Sequence, residues 1–156
     1  MKRFIYILLL LPALVLSSCH DDKTADVRIS LSYENAVVVN SVIYVVKPDV
    51  LTVASVSVEA VNSSHKAANG AVSYWLSGQP IATNPVEPFG VEIPTESLDP
   101  GRYVLQISMP VFEEGCELTT AGITLPVMVV ESADEIPSDP GSEPSTHQDD
   151  VEYVLN

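Results

Sequence analysis

From residue 25 to residue 131, apolar and polar positions alternate one by one over most of the chain. That is the period of strands that bury one face. Val27, Ile29, Leu31 and Tyr33 oppose Arg28, Ser30, Ser32 and Glu34. Ala36 to Val46 is a β-branched run, ended by Lys47-Pro48-Asp49. Thr52 to Val61 alternates again, with Ala54, Val56, Val58 and Ala60 facing away from Ser55, Ser57 and Glu59. Asn62 to Gly70 reads as a polar loop. Val72, Tyr74 and Leu76 form the next inward set, followed by a turn at Gly78-Gln79-Pro80 and a short strand from Ile81. Phe89, Val91 and Ile93 follow, then Tyr103, Leu105, Ile107 and Met109, then Ile123, Leu125, Val127 and Val129. No stretch of this body has a capped 3.6-residue period. About eight short strands separated by turn residues predict an all-β antiparallel sandwich or barrel. Pro126 cannot donate to a ladder, which places an edge or a bulge in the last strand.

The flanks are of different material. Lys2 and Arg3 precede an apolar run from Phe4 to Leu16, about 13 residues where a membrane-spanning helix needs about 20. Small residues follow, so residues 1–18 read as a signal peptide. Leu16-Ser17-Ser18-Cys19 resembles the bacterial lipoprotein box, and the resemblance implies that Cys19 is acylated and becomes the new N-terminus. Its acyl chains would then hold the protein on the membrane. The tether 19–24 carries His20-Asp21-Asp22, which resembles the surface-export signal of Bacteroidetes lipoproteins. A cell-surface or outer-membrane location follows from that likeness.

The tail from 132 to 156 carries Pro137, Pro140, Pro144, several serines and seven acids with no Lys or Arg. Such a segment is expected to stay mostly disordered. Its end differs: Val151, Tyr153 and Leu155 alternate with Glu152 and Val154. That end either frays or adds as a strand to a sheet edge, in its own domain or in a partner.

Charge narrows the partners. The chain of 156 residues has 7 Lys+Arg against 21 Asp+Glu, a net charge of −14. Loss of Lys2 and Arg3 leaves 5 against 21, or −16, for residues 19–156. This excludes a phosphate-binding surface and nucleic acid as a partner. It also predicts repulsion from anionic headgroups, so membrane association falls to the lipid on Cys19.

Two segments carry a fold resemblance. Val72-Ser73-Tyr74-Trp75-Leu76-Ser77-Gly78-Gln79-Pro80-Ile81, followed by Pro88-Phe89, resembles the C to C′ region of bacterial immunoglobulin-like domains. Leu98-Asp99-Pro100-Gly101-Arg102-Tyr103-Val104-Leu105 resembles their E–F corner. The likeness implies an immunoglobulin-like β-sandwich over 25–131, with Tyr103 as a structural corner whose hydroxyl bonds the backbone just upstream. Unlike antibody domains, the chain has no second cysteine in the body to pair with Cys116.

Candidate chemistry is sparse. His20, His65 and His147 read as solvated. Cys116 lies among Glu113, Glu114 and Glu117, whose charges oppose a thiolate. The same acids lack the spacing of a calcium loop and read as a solvated turn. No nucleophile elbow or phosphate-cradling loop occurs. No catalytic residue, cofactor or metal is therefore expected. Trp75, the single tryptophan, has the parity opposite to Tyr74 and Leu76 and points to the outer face of its sheet, flanked by Ser73 and Ser77. It is the candidate partner-binding side chain, for protein or glycan; the other reading is that Trp75 is covered or belongs to the core. The expected function is a lipid-anchored surface binding module. The alternative is a structural subunit of an envelope complex, and an enzyme is a distant third.

Overall fold

A computed structural model describes residues 23–61 and 64–138 and the backbone of 151–155. Cys19, His20 and His147 lie outside the described residues. The strands are β1 (Val27–Glu34), β2 (Val37–Val39), β3 (Val42–Val46), β4 (Val50–Ala60), β5 (Ala67–Asn69), β6 (Val72–Leu76), β7 (Gln79–Asn84), β8 (Val91–Pro94), β9 (Gly101–Glu113), β10 (Thr119–Val130) and β11 (Val151–Leu155). One sheet has the order β11-β1-β4-β8. The other runs β2-β3-β10-β9-β6-β7, with β5 paired to the far end of β9. The alternating strands point one face inward from each sheet. Val27, Ile29, Leu31 and Val53 from the first meet Tyr74, Leu105, Ile107 and Val127 from the second in one buried core. The fold is an immunoglobulin-type β-sandwich, antiparallel except where β3 runs parallel to β10.

Several expectations change in detail. The β-branched run 36–46 is two strands rather than one, because Asn40 and Ser41 take φ of 50° and 62° and close a two-residue hairpin between β2 and β3. The inward face of β4 begins at Leu51 and Val53 and resumes at Val56. Ala54 is the extra residue: Ser32 pairs with Ser55 while Tyr33 pairs with Val53. This bulge takes Ala54 out of the inward set and preserves the set beyond it. The loop before Gly70 contains β5, whose Ala67–Asn69 backbone pairs with Val111–Glu113 of β9. Pro126 sits where β10 loses its neighbour: β3 pairs only with Val127–Val130, so the ladder needs no donor on that side at Pro126.

The segment after β10 is also more ordered than its composition suggests. Ser132 caps a short 3-10 turn, Ala133–Glu135, and the Glu135 carboxylate accepts from the Glu131 and Ser132 N–H groups at 3.1 Å each. Further on, β11 pairs antiparallel with β1 over five positions, from Val27↔Leu155 to Leu31↔Val151. Of the two alternatives for this end, the one found is strand addition to the chain's own sheet.

Candidate functional site

The outer face of β6, β9 and β10 carries the candidate site. Alternation on β6 buries Val72, Tyr74 and Leu76, which leaves Ser73 and Trp75 on the other face. The Tyr74 hydroxyl fixes this parity by donating to the Phe89 carbonyl at 2.5 Å inside the core, and burial pushes its phenol well above the ordinary tyrosine range. The Ser77-Gly78 turn, with φ of 48° and 82°, returns the chain into β7. Register then sets the neighbours of Trp75. Trp75 lies opposite Gln106 of β9, which lies opposite Thr124 of β10. The next row is Ser73, Ser108 and Gly122. Trp75 is half-buried and forms one wall of an open groove of about 520 Å³, which Gln106, Ser108, Gly122 and Thr124 also line. An added Cβ at Gly122 would meet nothing within 4 Å, so the backbone there faces open space. Beside the groove the Ser73 and Thr83 hydroxyls lie 2.9 Å apart and tie β6 to β7.

Tyr103 does something different. Its hydroxyl donates to the Asp99 carbonyl four residues upstream, at 2.9 Å. The same corner is held from the other side by the Lys47 ammonium, which donates to the Leu98 carbonyl at 2.5 Å. The Tyr103 bond is exposed, so water can replace it. Tyr103→Phe is therefore expected to cost only about 0.5–1 kcal/mol in chemical denaturation. A loss well above that would mean that the hydroxyl holds more than the corner.

A second cluster was missed in the sequence. Glu113, read there as solvated, is buried at the end of β9. Its Oε2 accepts from the Asp26 N–H at 2.6 Å, and its Oε1 lies 2.8 Å from His65 Nδ1. These partners hold its carboxyl below the ordinary carboxylate range, the His65 bond most, then the Asp26 N–H, against the opposing effect of burial. His65 is thus a partner of Glu113 rather than a freely solvated side chain. Cys116, a free cysteine, sits beside the same carboxylate. Desolvation raises its thiol pKa, and the Glu113 charge raises it further. His65 bonds the carboxylate and not the thiol, so the cluster orders glutamate between histidine and cysteine. That arrangement favours a protonated thiol and a clamp on the chain entering β1. Among the described residues, no group of three His, Cys, Asp or Glu is placed to hold a metal ion. No described helix is long and apolar enough to cross a membrane.

No family model matches the chain, and no curated protein matches it. A solved structure described as fibronectin(III)-like modules of Clostridium thermocellum CbhA is similar at 15% identity, with a TM-score of 0.35. The match covers 61% of this chain and 93% of that one. The chain's own two sheets establish the immunoglobulin-type sandwich.

Proposed function

We propose that the protein is a lipid-anchored, surface-displayed binding module whose contact face is the outer surface around Trp75. The observation that carries the binding reading is the half-buried indole set in an open groove on a sheet face. A large aromatic left partly open to solvent on a sheet face, with polar side chains round it, offers an apolar contact point to a ligand. What supports the anchor is the order of basic residues, apolar run, small residues and Cys19, followed by acids. With a charge of −16 over residues 19–156 after processing, the chain would not adhere to an anionic leaflet unaided, so acylation carries the attachment.

Mass spectrometry of detergent-extracted protein tests the anchor. The expected N-terminal peptide begins at Cys19 and carries acyl chains, and Cys19→Ala is expected to move the protein out of the membrane fraction. Recovery of an unmodified Cys19 still joined to Ser18 would refute it. Binding is tested separately, by comparing what the displayed protein and its Trp75→Ala variant retain. Equal retention would remove Trp75 from the contact face.

A further inference from the structure

The groove differs in charge from the rest of the chain. The protein carries 21 acids and 7 Lys+Arg, yet the groove is lined by Trp75, Gln106, Ser108, Gly122 and Thr124 without a charged side chain. Its polar groups are one amide and two hydroxyls. Each hydroxyl both donates and accepts, and the amide offers separate donor and acceptor atoms. Ile107 and Ile123 also line it, but both are core residues with buried side chains. Trp75 is thus the one large apolar side chain presented to a ligand.

Building on the binding role assigned to this face, we propose that its ligand is a neutral carbohydrate chain, with the Trp75 indole as the platform for a sugar ring. A pyranose has an apolar face of C–H groups and a rim of hydroxyls. The first stacks on an aromatic ring. The second needs partners that both donate and accept, which Gln106, Ser108 and Thr124 supply. Gly122 lets the ring approach the sheet, because no Cβ occupies the space next to Ser108. The volume falls within the range of small-molecule sites. Anionic ligands would find no cation here and would be repelled by the chain's net charge. A basic peptide would find no carboxylate in the groove. A protein hot spot would be expected to cluster several aromatic or arginine anchors, whereas a sugar ring needs one.

Because the chain has a single tryptophan, its fluorescence reports on the groove directly. Titration of the mature protein with cellohexaose, maltohexaose and mannohexaose is expected to give a saturable emission change with at least one of them. Heparin hexasaccharide is expected to give none. Trp75→Ala, assayed by calorimetry on protein that still unfolds cooperatively, is expected to weaken binding at least tenfold. Gly122→Val places a branched side chain in the open space beside Ser108 while suiting a strand, and is expected to do the same with the indole intact. No saturable change with any neutral hexasaccharide up to about 10 mM, beyond the range of weak specific binding, would overturn the carbohydrate proposal. So would binding that survives both substitutions. If Trp75→Ala instead abolished self-association in sedimentation, or retention of a protein partner, the carbohydrate would be wrong and the binding role of the face would stand. If the substitution changed nothing in any assay, both would fall.

Discussion

Gly90→Ala is expected to be among the most damaging single substitutions in the body, lowering stability by about 3 kcal/mol. Gly90 lies just before β8, and an added Cβ there would be 2.5 Å from the Val53 carbonyl oxygen and 2.9 Å from that of Ala54. Both obstacles are backbone atoms of the bulge in β4, so neither can rotate away. Relief requires β8 to lift from β4, and their ladder has only four paired positions. The lifted segment would take Phe89 with it, and with Phe89 the carbonyl that accepts from the buried Tyr74 hydroxyl. A fall in melting temperature of roughly 10 °C or more is expected for a domain of this size. A melting temperature unchanged within error would show that the approach of β8 to the bulge is not tight in solution.

Glu113→Ala is expected to cost about 1–3 kcal/mol, because the Asp26 N–H and His65 lose their acceptor at once. Glu113→Gln retains an acceptor and is expected to cost less. The pH dependence has a definite sign. The Glu113 pKa is depressed in the folded state, so its contribution is complete above the ordinary carboxylate pKa and is lost as pH falls through the lower, folded value. Urea midpoints measured from neutral to acidic pH are expected to converge for wild type and Glu113→Gln at the acid end of that series. A constant gap between them would mean that the carboxylate charge adds nothing to the clamp.

The parts of the molecule that the sequence revealed are those with unbroken alternation. β1, β6, β9 and β10 bury the residues that their parity selects, except Tyr103 at the start of β9, which is only half-buried, and Trp75 lands on the outer face for the same reason. Where the backbone departs from simple alternation, residue type did not mark the place. Asn40-Ser41 makes a hairpin without glycine in the midst of a valine-rich run, and Ala54 forms a bulge in a strand of ordinary composition. The groove became visible only with register, which sets Gln106 and Thr124 beside a tryptophan some thirty to fifty residues away in sequence. The Glu113 clamp was hidden for the same reason. Its partners are 87 and 48 residues distant, and a run of acids looks the same whether its first member is buried or solvated.

The pairing of β11 with β1 has a mechanical consequence. Val27 pairs with Leu155, so the end of β11 lies beside the point where residues 23–26 lead into β1. Tension applied between residue 23 and residue 155 would load this ladder at one end, opening its five positions one after another instead of shearing them together. The domain behind would stay shut, because β1 is still held by eight positions of β4, and Asp26 by Glu113. Pulled in this way, the protein would lengthen first by peeling its last strand, at low force, while the Trp75 face kept its shape.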